Sequence, residues 1–165
     1  MNVISYAAVF FIFAAAGYII WRGYKRRKIF FEDLISFCNH LLVEISFSKN
    51  TVSRIIENYS SNYSREFRTT LLKYQDLLHR KKDVTHGNID ISVWRGLKKS
   101  ARVPVVDFFT ELGRHSSSEE SEKIQNKKLI FDKLYEQATN SLKRDASIYL
   151  KLFILIGVAA VILML

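Results

Sequence analysis

The chain has 165 residues, a net charge of +9 and one cysteine. That length supports one modest domain, and the lone Cys38 excludes an internal disulfide framework. The six glycines form neither G-x-x-x-x-G-K nor G-x-G-x-x-G, and H-E-x-x-H and C-x-x-C are absent, so the common nucleotide, zinc-protease and thiol-redox signatures fall away.

A surplus of basic residues ordinarily points to nucleic acid, but here its placement argues otherwise. All 25 Lys and Arg and all 16 Asp and Glu lie between Arg22 and Lys151. A polar middle is thus flanked by two charge-free ends. Val3 to Trp21 is 19 residues without a charge, about 28 Å as a helix, close to the thickness of a hydrocarbon core. A secretory leader carries its positive charges before the apolar run. Here Arg22, Lys25, Arg26, Arg27 and Lys28 follow it, so the segment reads as a retained anchor, residues 1–21, with a basic flank at 22–27. The positive-inside rule puts the N-terminus outside and the middle in the cytoplasm. Trp21 suits the membrane interface. The basic run also suits anionic lipid headgroups, and a run held against a bilayer does not reach a nucleic-acid duplex.

The middle, residues 28–147, reads as helical throughout. Phe31, Leu34, Cys38, Leu41 and Ile45 step by three and four, with Ile35 and Leu42 widening the stripe, which predicts an amphipathic helix from about Lys28 to Ser46. Cys38 in that seam reads as a small buried side chain. Ser46 to Asn50 is a turn. Val52, Ile55, Ile56 and Tyr59 mark a second helix, Ser60 to Ser64 a polar break, and Phe67, Leu71, Tyr74 and Leu78 a third helix ending in Arg80, Lys81 and Lys82. A loop over Asp83 to Asn88 precedes a short fourth helix with Val93, Trp94 and Leu97. Pro104 is expected in the first turn of a fifth helix carrying Val105, Phe108, Phe109 and Leu112, with Gly113 as its C-terminal stop. Strand-type alternation is confined to Ile89, Ile91 and Val93, too short a run to count. The expected fold is all-α, a bundle of about six helices.

The sixth helix is the longest. Ser116 to Glu120 carries a helix-start signature, and Ile124, Lys128, Phe131, Tyr135, Ala138 and Leu142 form a seam on one face. No Pro or Gly intervenes between Arg114 and Ile156, and Leu152 to Leu165 holds no charge. A single helix from Ser118 to Leu165 would be about 72 Å long, its first part packed on protein and its second part, from 148 onward, in lipid. Lys143, Arg144 and Lys151 precede the charge-free Leu152 to Leu165 and give the same orientation as the first. Lys151 is placed to snorkel to the interface.

Several tempting signals resolve to plainer readings. His40 and Glu44 share a helix face at i, i+4, yet no third ligand stands near, so a helix pair is preferred to a metal site. No Ser or Cys has an identifiable base partner, so no enzyme activity, cofactor or metal is expected. Asn58-Tyr59-Ser60 and Asn62-Tyr63-Ser64 match the glycosylation pattern, which a cytoplasmic segment never presents to the enzyme.

The order of parts, and three segments in particular, resemble the stage III sporulation protein AB family. The segments are Leu42-Val43-Glu44-Ile45-Ser46-Phe47, Trp94, and Phe108-Phe109-Thr110-Glu111-Leu112-Gly113-Arg114-His115. The apolar ending is similar too. Phe109 stands where the family pattern has Gly, and Asn50-Thr51 where it has Thr-Pro. The resemblance implies a fold like the cytoplasmic domain of type II secretion F platform proteins. It also implies a place in the channel between mother cell and forespore, in the mother-cell membrane, beside a cytoplasmic ATPase and other channel subunits. On this reading the protein is a non-enzymatic platform. Partner contact is expected at Glu44, Phe47, Lys49 and Asn50 and at Gly113, Arg114 and His115, with Trp21, Arg22, Lys25, Arg26, Arg27, Lys28 and Lys151 at the membrane surface. The alternative is a hairpin protein that binds anionic lipid and has no part in secretion. Self-association and whether the C-terminal helix fully spans stay open.

Overall fold

A computed structural model describes residues 3–48, 50–80, 89, 97–113 and 117–164. Among them every regular element is helical and none is a strand. Helix α1 (Val3–Val43) continues into one π turn, Glu44–Ser48. Then come α2 (Val52–Tyr59), a 3₁₀ turn at Ser60–Asn62, α3 (Arg65–His79) and α4 (Lys99–Glu111). Helix α5 (Ser117–Ser141), a π turn at Leu142–Ala146 and α6 (Ser147–Met164) form one uninterrupted run. Counted as continuous runs, the described residues make five helices rather than six, because the expected fourth helix, with Trp94, and the loop before it lie outside them.

The chain packs as two compact units. One comprises Met1–Lys28 with Glu136–Leu165, the other Ile29–Tyr135. In the second unit the core is built from the predicted stripes: Phe31, Leu34, Cys38 and Leu41 from α1, Ile45 from the π turn after it, Ile55 and Ile56 from α2, Phe67, Leu71 and Tyr74 from α3, and Ile124 and Phe131 from α5 are all buried. The α1 stripe widens on the other side from the one expected. Phe30 and Phe37 are buried, while Ile35 and Leu42 stay half-exposed. The cause is aromatic packing: the Phe67 ring lies 5.5 Å from Phe30, 6.0 Å from Phe37 and 5.3 Å from Tyr63, all edge to face, the arrangement ring quadrupoles favour. Burial pushes the Cys38 thiol up to about 12, so it is protonated at neutral pH and behaves as a small apolar residue.

Helix α3 begins at Arg65, directly after the expected break at Ser60 to Ser64, and the Ser64 backbone N–H donates to Asp33 Oδ2 at 3.0 Å. That bond ties the start of α3 to α1. Helix α4 begins at Lys99, so Pro104 sits inside it rather than in its first turn. The hydrogen bond that Pro104 forgoes would have gone to the Ser100 carbonyl. Ser100 is exposed, so its carbonyl is open to solvent and the cost of the missing bond is small. Val105, Phe108, Phe109 and Leu112 face the core as predicted.

In the first unit, α1 and α6 run antiparallel and touch at two glycines. A Cβ on Gly17 would stand 3.0 Å from Phe153 Cβ and 3.3 Å from Leu150 Cδ1. One on Gly157 would stand 3.2 Å from Phe13 Cβ and 3.4 Å from the Phe10 ring. Missing side chains at these positions let the backbones approach, the usual device of helices that pack in lipid. Both helices are long and apolar enough to cross a bilayer.

Candidate functional site

The π turn that closes α1 is built around one carboxylate. Tyr59 Oη donates to Glu44 Oε1 at 2.8 Å and Asn50 Nδ2 donates to Oε2 at 2.7 Å. The Asn50 backbone N–H reaches the Glu44 carbonyl at 3.4 Å. Asn50 and Tyr59 therefore clamp the end of α1 to the start and the end of α2. His40, one turn earlier, stacks on the Tyr59 ring at 4.2 Å and shares a 2.6 Å hydrogen bond between Nδ1 and Tyr63 Oη. His40 and Glu44 are thus each engaged by tyrosine and do not point at a common ligand. No group of three metal-ligating side chains occurs among the described residues.

Hydrogen bonds from Tyr59 first, then Asn50 and Ser48, hold the Glu44 carboxyl below its ordinary value of 4.5. A carboxylate depressed in the folded state contributes stability above its unfolded pKa, and the contribution is lost as pH falls through the folded value. Tyr59→Phe is therefore expected to lower the thermal midpoint at pH 7 and to lower it less in acid below the carboxylate range. An equal loss at both pH values would show that the Glu44 bond is not the source.

Phe47 sits on this turn with its side chain 84% exposed. Ile45, two residues earlier, is buried, so the turn presents one apolar residue inward and one outward. The second predicted turn lies next to the first. Gly113 has φ +82°, and a Cβ there would stand 3.6 Å from Val52 Cγ2, at the start of α2. Its backbone N–H donates to Glu120 Oε1 at 2.8 Å, and the preceding carbonyl, of Leu112, accepts from Tyr74 Oη at 3.2 Å. Glu120, in the first turn of α5, is buried. The acidic start of α5 expected to complement the helix end thus also latches the turn that precedes it. Gly113→Ala meets only an ordinary van der Waals contact but an unfavourable φ, and a loss of about 1–2 kcal/mol in thermal unfolding is expected. An unchanged midpoint would count against the left-handed conformation there.

The structure joins Glu44 to Asn50, carries Phe47 on the same π turn, and sets Gly113 against Val52, two residues after Asn50. Lys49, Arg114 and His115 lie outside the described residues. Sequence spacing gave no sign of Tyr59, Asn50 or Glu120 as the residues that fix these turns.

The residues expected at the membrane surface belong to the first unit. Trp21 stacks with Tyr18 at 5.8 Å, and Lys25 Nζ lies 5.2 Å from the Trp21 ring centre. Arg27 lies over Tyr24 at 5.5 Å. Arg22, Lys25, Arg26 and Lys151 are exposed, and Arg27 and Lys28 half-buried. Aromatic rings with cations over them, directly after an apolar helix, match an interfacial belt.

The sequence model of the stage III sporulation protein AB family matches residues 2–165, essentially the whole chain. The chain belongs to that family. No curated protein and no solved structure matches it. Of the segments that carry the resemblance, Leu42 to Phe47 is the end of α1 with its π turn, and Phe108 to Gly113 is the end of α4 with the latched glycine. Trp94 lies outside the described residues. Family membership gives the protein a role in sporulation, and its two apolar helices agree with membrane association.

Proposed function

We propose that the protein is a non-enzymatic platform subunit of the channel between mother cell and forespore, and that its helical domain docks a partner secretion-type ATPase. Both apolar helices anchor it in the mother-cell membrane around the forespore, with both termini outside and the middle in the cytoplasm. A fold like the cytoplasmic domain of type II secretion F platform proteins belongs to the same reading.

The observation that carries it is Phe47. A large aromatic held in water costs the monomer burial it would otherwise gain. Here it stands on a π turn that Tyr59 and Asn50 fix, so little ordering remains to be done when a partner arrives. An aromatic anchor on a prepared support is what an interface hot spot requires. The Gly113 turn beside it widens the same surface, and Lys49 and Arg114, within the two turns by sequence, suit an acidic face.

Two variants of the full chain test this. Phe47→Ala, and Lys49→Glu with Arg114→Glu, are expected to leave thermal stability within about 0.5 kcal/mol and to abolish co-purification with the ATPase. Undiminished co-purification overturns the docking surface. Phe47→Cys, labelled by a membrane-impermeant thiol reagent only after the cells are opened, is the expected result for a cytoplasmic middle; labelling in intact cells overturns the topology.

A further inference from the structure

We infer that the first unit carries a two-helix binding site for the phosphates of an anionic lipid, and that it prefers a lipid with two phosphates on one headgroup. The argument starts from register. Gly17 meets Leu150 and Phe153, and Gly157 meets Phe10 and Phe13, so α1 and the run from α5 into α6 are antiparallel and each residue on one has a definite partner level on the other. Two helical turns beyond the Gly17–Leu150 contact, α1 has reached Lys25 and Arg26, and the other helix Lys143 and Arg144. Both pairs belong to the same compact unit. The sequence shows two separate basic runs more than a hundred residues apart, while the fold sets them at one level at the same end of a helical hairpin.

Arg22, Lys25, Arg26, Lys143 and Arg144 are all exposed. Asp145, the next residue, takes Arg144 Nε at 2.9 Å and offsets part of that charge. Arg22 and Lys25 on α1 and Lys143 on the other helix put positive charge on both sides of the hairpin. Trp21, stacked with Tyr18 and capped by Lys25, lies just on the apolar side of this level, where an indole marks the headgroup zone. Lys143, Arg144 and Asp145 belong to the π turn Leu142–Ala146, and irregular turns of this kind cluster at functional positions.

Each cation near a membrane surface strengthens lipid binding by about fivefold. A lipid with one phosphate engages one helix. A lipid whose two phosphates share a headgroup engages both, and its second contact is intramolecular, so it gains without recruiting a second molecule. The glycine contacts keep the helix axes close enough for one headgroup to bridge them.

The test uses the full chain in an uncharged detergent, with bound lipid counted by native mass spectrometry. Cardiolipin supplies two phosphates per headgroup and phosphatidylglycerol one, compared at equal total phosphate. One cardiolipin per chain is expected to bind at least fivefold more tightly than phosphatidylglycerol. Lys25→Gln with Arg26→Gln, or Lys143→Gln with Arg144→Gln, is expected to remove that preference while weaker single-phosphate binding persists. Inorganic pyrophosphate, the soluble counterpart, is not expected to displace the lipid. Equal binding of the two lipids overturns the proposal, as does a preference unaltered by both double variants. Displacement by pyrophosphate at the lipid's own concentration assigns the site to a soluble anion and also overturns it. The lipid comparison on the unaltered chain decides the matter even if a variant does not fold. Loss of the lipid preference leaves the ATPase docking surface untouched, since that rests on Phe47.

Discussion

Phe67→Ala is expected to cost about 3–5 kcal/mol. Phe67 is fully buried, and its ring is the meeting point of Phe30 and Phe37 from α1 and Tyr63 from the turn before α3. Truncation removes the transfer free energy of the ring and leaves a cavity that three other aromatic rings cannot close without leaving their edge-to-face geometry. Set against total stabilities of ~5–15 kcal/mol, such a loss lowers the thermal midpoint by roughly 10–20 °C for a unit of this size. Far-UV circular dichroism of the full chain in detergent measures it. Leu129→Ala is the control: Leu129 is 62% exposed on α5, and its removal is expected to move the midpoint by little. Equal shifts for the two variants would place the core elsewhere.

That core was largely legible because a helix stripe is written at steps of three and four. Phe31, Leu34, Cys38, Leu41 and Ile45 announce their face without help from the rest of the chain. The sequence did not reveal which flank of the stripe is also buried. Ile35 and Leu42 extend it on one side, Phe30 and Phe37 on the other, and periodicity weighs the two alike. Phe67 decides, from about thirty residues away, and nothing local to α1 records it. The same holds for the π turn. Glu44 was picked out as a member of a recognisable segment, but Tyr59 and Asn50 become its partners only once α2 folds back. Pro104 misleads for a different reason. A helix start with Lys98 flanking it and Lys99, Ser100 and Arg102 inside it lacks acidic residues and a capping side chain, so the proline looked like the stronger signal. Lys49, Arg114 and His115 lie outside the described residues, so of the residues expected at partner contacts the structure describes Glu44, Phe47, Asn50 and Gly113.

Gly157→Leu is expected to separate the two apolar helices without expelling either from the membrane. The substitution makes α6 more apolar, so insertion is if anything favoured, and any loss must come from packing. A Cβ at 157 already stands 3.2 Å from Phe13 Cβ and 3.4 Å from the Phe10 ring. A leucine forces those side chains, or the helix axes, apart at about 1–3 kcal/mol. The opposite contact supplies the reporter. Gly17 and Phe153 would have Cβ atoms 3.0 Å apart, about half an ångström short of the ~3.5–4.5 Å a disulfide spans, so Gly17→Cys with Phe153→Cys is expected to cross-link under mild oxidation once the helices part by that small amount. Cys38 does not interfere, since burial keeps its thiol protonated. Adding Gly157→Leu is expected to lower the cross-linking yield severalfold, and Gly157→Ala to lower it less, because one methyl is accommodated by a few tenths of an ångström of movement. Were leucine at 157 to leave both the yield and the thermal midpoint unchanged, the close approach of α1 and α6 would be wrong. The shared level of Lys25, Arg26, Lys143 and Arg144, which depends on that approach, would go with it.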